Sequence, residues 1–238
     1  MDKQTLDAIA SQTVIVTTTL YRAGSRSDME RAELAKRMFW LAKTSGYKVI
    51  TVDGGAPDST RRDFETNGAE VFSGLPDSSL VRDRKHAIRH ATGQGYPILA
   101  WTEPEKVNYV RHIATTAFPI HSEKADLVVP QRVGMEQYPP TQQLAEPLGK
   151  IVWTQLTGKE LDMWFGPRTW RRELSDYFLN YNEKYGSLWE GLYVPVMQMV
   201  WDGKRVLSVE IDYRHPEEQK RMEEHDVNFS MKRIEQLT

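Results

Sequence analysis

The chain contains no cysteine. That excludes disulfides, a thiolate nucleophile and Cys-ligated zinc together, and it fits a reducing compartment. No stretch approaches the ~18 consecutive apolar residues that a membrane-spanning helix needs. The mixed polar segment 1–12 has no apolar signal core. A cytoplasmic protein without a transmembrane segment is therefore expected, and the sequon Asn228-Phe229-Ser230 reads as chance. Excess charge is also missing. Net charge is −2, so neither nucleic acid nor an anionic membrane is expected as a partner. Assembly into a homo-oligomer stays open.

Common nucleotide and hydrolase motifs are absent too. No Gly-x-Gly-x-x-Gly follows the first apolar run, and there is no P-loop Lys-Ser/Thr. No Gly-x-Ser-x-Gly elbow and no His-Glu-x-x-His helix occurs. Internal repeats and low-complexity segments are lacking.

What is present is an ordinary globular composition. Hydrophobic residues make up 39% and charged residues 27% of 238. A chain this long buries roughly 70–75% of its unfolded surface, so it needs no staple.

The first half alternates strands and helices. Residues 14–20 form a β-branched run, like a strand buried on both faces. Ser27 and Asp28 can cap the helix that follows, and Gly46 can end it. Further strands are expected at 48–52, 70–72, 97–101 and 126–129. Helices are expected at 58–67, 79–92 and 104–116. This order predicts a mostly parallel sheet covered by helices on both faces.

The second half reads differently. Residues 133–143 look like a loop. Helices are expected near 142–157 and 169–185, and 190–200 could be helical. A strand is expected within 204–213, followed by a charged, helical tail from Pro216. Residues 1–132 thus form one half and 133–238 the other, within one compact domain.

In an open α/β sheet, ligands sit beyond the carboxyl ends of the strands, near the switch point. The residues there are 17–22 (Thr17, Thr18, Thr19 and Leu20 among them), Asp53 to Gly55, Ser73 to Gly74, and the stretch from Trp101 to Glu105. The Asp53 carboxylate could accept from the ring N–H of a uracil or guanine. It could equally shape a turn or cap a helix. Glu103 and Glu105, spaced i, i+2, could hold Mg²⁺ or Mn²⁺ on a diphosphate. Thr102-x-x-Glu105 also fits a capping box. His215 could be a distant third ligand or a structural histidine. Arg82, Arg84 and Lys85 could neutralise phosphate or form a solvated helix face. Asp162, the Gly166-Pro167-Arg168 segment and Trp189-Glu190 could build an acceptor pocket, or serve as turn and core residues.

Taken in order along the chain, these segments resemble the GT-A glycosyltransferases, particularly the family 2-like branch. Val52-Asp53-Gly54-Gly55-Ala56-Pro57-Asp58-Ser59-Thr60 resembles that family's Val-Asp-Asp-Gly-Ser-x-Asp-x-Thr signature. Arg84-Lys85-His86-Ala87-Ile88 resembles its Arg-Asn-x-Gly-Ile/Leu helix. Glu103-Pro104-Glu105 stands in the place of its Asp-x-Asp metal motif. Gly166-Pro167-Arg168 resembles its Gly-x-Arg. Trp189-Glu190 and His215 fall where mannosylglycerate synthase-like members carry acceptor-side residues and a metal-binding histidine.

The resemblance implies a Rossmann-like α/β fold with a smaller C-terminal acceptor-side region. It implies transfer of a sugar from a UDP- or GDP-sugar to a hydroxyl acceptor. Thr17, Thr18, Thr19, Leu20, Asp53, Arg84 and Glu103 would hold the donor. Glu105 and His215 would bind Mn²⁺ or Mg²⁺. Glu190 and Asp162 would be the catalytic candidates. Two departures stand out: Asp-x-Asp has become Glu-Pro-Glu, and the second Asp of the signature is Gly54. They leave two alternatives open: a binding protein without turnover, and a sugar nucleotidyltransferase. The latter should carry a Gly-rich, Arg-containing loop after the first strand, where only Gly24 lies near.

Overall fold

The computed structural model describes residues 1–76, 79–217, 220, 221 and 231. Most of the expected tail helix, with the Asn228 sequon, lies outside the described residues.

The β-branched run becomes β1 (Thr13–Thr19), and its burial shows why. Ile15 packs on one face of the sheet with Val49 and Ala100. Val14 and Val16 pack on the other with Ile50, Val52, Leu99 and Trp101. Both faces of the strand are thus covered, as its continuous β-branched run requires. Each such side chain contributes roughly 1.5–3 kcal/mol when fully buried.

β2 (Lys48–Asp53), β3 (Ala69–Ser73) and β4 (Ile98–Trp101) run parallel to β1. They are linked by α2 (Arg26–Thr44), α3 (Asp58–Thr66) and α4 (Leu80–Gly93). The seven-stranded sheet has the order β3-β2-β1-β4-β6-β5-β7. β5 (Leu127–Arg132) and β7 (Val206–Ile211) pair in parallel. β6 (Arg168–Arg171) is antiparallel to both of its neighbours. After β3 the chain crosses back over β1 to place β4 on its other side, so the strand order reverses between β1 and β4. In open α/β sheets ligands bind at the carboxyl ends beside such a reversal.

The second half corrects several expectations. Segment 169–185 is not one helix. Arg168–Arg171 fills the gap between β4 and β5, and Trp170 is buried there. Only α7 (Ser175–Leu179) in that segment is α-helical. Sheet pairing on both edges outweighs the local helix propensity of the segment. The 104–116 helix is displaced: a 3₁₀ turn at Val107–His112 leads into α5 (Ile113–His121). α1 (Lys3–Gln12) occupies the polar N-terminal segment, capped by Asp2, which accepts from Thr5 N. It buries Ile9 alone, too little for a visible apolar stripe. α2 is capped by Ser25 rather than by Ser27. α6 (Pro140–Thr157) and α8 (Glu190–Trp201) match their expected positions.

Candidate functional site

β1, β2 and β3 end in register, and backbone bonds extend the match past the strands. Gly54 N donates to Thr19 O at 2.8 Å, and Gly74 N to Asp53 O at 2.7 Å. Thr19 and Asp53 are buried, Thr18 is half-buried and Leu20 is exposed at the rim. Thr17 is fully buried, its Oγ1 without a hydrogen-bond partner among the described residues.

Asp53 is tightly held. One carboxylate oxygen accepts from Thr19 Oγ1 at 2.8 Å, and the other from Gly55 N and Ala56 N. It shapes the turn after β2; the cap position of α3 is Pro57, with no side-chain cap. Asp83 escaped the sequence reading. A Cβ on Gly74 would stand 3.1 Å from its Oδ1, and one on Gly54 3.5 Å from its Oδ2. Its carboxylate therefore lies over both strand ends, where only glycines leave room.

At the end of β4 the capping-box alternative fails. The nearest helical turn starts at Val107, and Glu105 bonds elsewhere. Its Oε1 accepts from Tyr21 Oη at 2.9 Å and from Arg31 Nη2 at 2.7 Å. Burial, then the Glu105 charge, pushes the Tyr21 phenol well above its usual range. Both bonds use Oε1, so Oε2 is committed to neither. Glu103 lies against Gly166, where any Cβ would come within 2.3 Å of Oε1. Lys106 Nζ is 3.6 Å from that oxygen, while Oε2 is buried with no hydrogen-bond partner among the described residues.

Arg84 is the most informative side chain. It is 1% exposed. Its guanidinium lies over Trp101, 4.6 Å from the ring centroid, and 5.8 Å from that of Trp189. Nη1 donates to Leu188 O at 3.1 Å. Nε and Nη2 have no hydrogen-bond partner among the described residues. Burial pushes its pKa down to about 10, against the pull of Glu103, Tyr193 and Glu190. Arg82 and Lys85 point elsewhere, to Glu183 and to the Tyr181 carbonyl.

Glu190 opens α8 and folds back over Gly186, accepting from Leu188 N at 3.0 Å. Asp162 is held differently. Its two oxygens take Arg132 Nε and Nη2, each at 2.8 Å. Burial alone would raise the Asp162 carboxyl; Arg132 outweighs it and holds it below the ordinary range. Arg132 also bonds Glu146, and it lies over Tyr138 and Phe165. His215 is buried against Tyr138, with ring centroids 4.9 Å apart. Glu105 through Tyr21, and His215 through Tyr138, border one apolar cluster. Among the described residues no group of three histidines or carboxylates already stands in metal-holding geometry. Asp53 spends its carboxylate oxygens on Thr19 and on the turn after β2.

No family model and no curated protein matches the sequence. Solved structures do match in fold. Glucosyl-3-phosphoglycerate synthase from Mycobacterium tuberculosis aligns with a TM-score of 0.64 and 16% identity, over 100% of this chain and 82% of that one. The same synthase in complex with Mn²⁺, UDP and glucosyl-3-phosphoglycerate aligns with a TM-score of 0.55 and 15% identity, over 96% and 80%. A CMP:2-keto-3-deoxy-manno-octonic acid synthetase complexed with CTP aligns with a TM-score of 0.57 and 12% identity, over 86% and 91%. The chain has the GT-A fold expected from its sequence. No helix among the described residues is long and apolar enough to cross a membrane.

Proposed function

We propose that this chain is a nucleotide-sugar-dependent glycosyltransferase that moves a sugar from a UDP- or GDP-sugar to a hydroxyl acceptor. The observation that carries the reading is Arg84. A buried guanidinium with two nitrogens unsatisfied among the described residues, over Trp101 at the end of β4, is costly unless an anion completes it. A diphosphate matches that need in charge and in acceptor geometry. The M. tuberculosis synthase, similar in fold, is solved in complex with UDP and Mn²⁺, which supports the same ligand class here.

Thr18, Thr19 and Leu20 would border the nucleoside, over the turn that Asp53 fixes. Glu103 and Glu105 offer hard carboxylate oxygens suited to Mn²⁺ or Mg²⁺; His215, buried against Tyr138, would have to turn toward them to add a third donor. An ion bound there would supply Lewis acidity to the leaving diphosphate. Arg84 would hold the diphosphate and stabilise the charge that builds as the anomeric C–O bond breaks. The electron pair of that bond leaves on the diphosphate while the acceptor oxygen bonds the anomeric carbon. The acceptor proton passes to Glu190 if the centre inverts. In a retaining reaction Glu190 would only orient the acceptor. Asp162, bound to Arg132, would position the acceptor side rather than react.

A thermal-shift series of UDP- and GDP-sugars with and without Mn²⁺ tests the reading, because a native-state binder raises Tm by mass action. The expected result is a metal-enhanced shift for one base. No shift with any donor sinks the proposal. Release of pyrophosphate from a nucleoside triphosphate and a sugar would favour the nucleotidyltransferase alternative instead.

A further inference from the structure

α6 is polar on the wrong side. Its inward face carries Gln142, Ala145, Glu146, Gly149 and Trp153. Its outward stripe, at i, i+3, i+4, i+7, i+8, i+11 and i+12 spacing, carries Leu144, Pro147, Leu148, Ile151, Val152, Gln155 and Leu156, all exposed. Leu144 is 75% exposed, and the other four aliphatic residues are 51–59% exposed. Trp201 of α8 extends the patch: it donates its indole N–H to Leu156 O at 3.1 Å and is itself 60% exposed. A lone exposed leucine is ordinary, but a continuous apolar face of this kind marks an interaction surface.

We infer that this face is a homodimer interface, in which α6 packs antiparallel against α6 of a second copy about a two-fold axis beside Lys150 and Ile151. Three observations favour a second copy over other occupants. First, the stripe is self-complementary. Turned about that axis, Leu144 meets Leu156 of the second copy and Leu148 meets Val152, with Ile151 one residue from the axis on each copy, as an isologous contact requires. Second, the face offers no charge for a charged partner to read. The only ionisable side chains of α6 are Glu146, turned inward to Arg132, and Lys150, paired with Glu160. A helix lying on an anionic membrane would carry basic residues along its polar edge. Third, the size is right. The five aliphatic residues and Trp201 expose on the order of 700 Å² per copy, close to the ~800 Å² per partner of a standard interface. This inference does not rest on the donor-site reading.

The chain's lack of cysteine supplies a clean test. In Ile151→Cys the only thiol of each copy sits next to the axis, and facing helix axes ~8–10 Å apart bring such residues within disulfide reach. Mild oxidation of Ile151→Cys should give a covalent dimer in high yield. Trp40→Cys, on the exposed side of α2 at 56% exposure, should not. Light scattering on the unmodified chain should give twice the 27.5 kDa chain mass. Ile151→Glu should give the single mass with an unchanged circular dichroism spectrum, since the side chain points outward. A monomer at every concentration overturns the inference. So does a dimer that persists in Leu148→Glu/Ile151→Glu, or equal cross-linking of both cysteine variants. Monomeric protein that instead binds vesicles of phosphatidylcholine and phosphatidylserine would overturn it in favour of a membrane.

Discussion

Three arginines are buried in this molecule almost completely. Arg168 donates to the carbonyls of Met163, Phe165 and Pro167, and the other two are held in opposite ways. Arg132, at the end of β5, meets two carboxylates and two aromatic faces; burial opposes its charge, but Asp162 and Glu146 lift its pKa well above the ordinary value. Arg84, on α4, meets one carbonyl and two indoles, and burial drives its pKa down to about 10. Desolvating a guanidinium costs several kcal/mol. At Arg132 the protein itself supplies the compensation. At Arg84 it does not, and its guanidinium lies over Trp101, the last residue of β4, at the carboxyl end of the sheet. On the proposed function, the difference separates a cation that holds structure from one kept for an anion.

The contrast breaks if removing a partner of Arg132 proves harmless. Asp162→Ala should cost about 3–5 kcal/mol, because it strands a buried charge with only Glu146 beside it. Urea denaturation, read as a shift in midpoint at constant slope, measures this. The pH dependence sharpens it. Asp162 is held below its unfolded value of 3.8, so its contribution is fully present above about pH 4 and is lost as pH falls through the lower folded value. Asp162→Asn should flatten the acid limb of stability below pH 4 relative to the parent chain. An unchanged acid limb would mean that Arg132 draws nothing from this carboxylate.

The half that sequence reads well is the half with regular burial. β1 to β4 are legible because each alternates between two apolar layers, and the position of Arg84 near the strand ends follows from their order. Asp83 is not legible: next to Arg84 in a charged run, it shows its place only once Gly54 and Gly74 meet beneath it. The Arg132 network is hidden for another reason. Its members come from β5, α6 and the segment before β6, and no local spacing links 132, 146 and 162. α6 carried a readable signal, since its aliphatic residues recur at helical period. Period alone, though, cannot tell an inward stripe from an outward one. β6 misleads because Trp and Arg residues suit either state, and only the gap between β4 and β5 decides.

Glu105 lies between the two extremes. It is buried, but its partner Arg31 is nearly half exposed, so screening by water reduces the worth of the pair. Glu105→Gln keeps an acceptor for Tyr21 and removes the charge. A loss of about 1 kcal/mol is expected. The larger change should appear elsewhere, as a weakened Mn²⁺ enhancement of the nucleotide-sugar thermal shift. If stability falls by as much as for Asp162→Ala while the metal response is intact, Glu105 belongs with Arg132 as structure.

The smallest expected change in stability is the most diagnostic. Arg84→Met replaces a buried, under-satisfied cation by an apolar side chain of similar length. Because the folded pKa lies below the unfolded one for this base, keeping Arg84 charged is a cost at every pH below about 10. Removing it at neutral pH should leave stability within about 1 kcal/mol of the parent, on the stable side, since the lost carbonyl bond and indole contacts are offset by the relieved desolvation. The same substitution should abolish the thermal shift given by nucleotide sugars. Arg84→Lys should restore only part of it, because an ammonium carries the charge without the planar fork that matches a phosphate. A variant that melts far below the parent would place Arg84 with Arg132, as a cation the fold needs for itself. The strand ends would then have lost the group that most clearly asks for an anion.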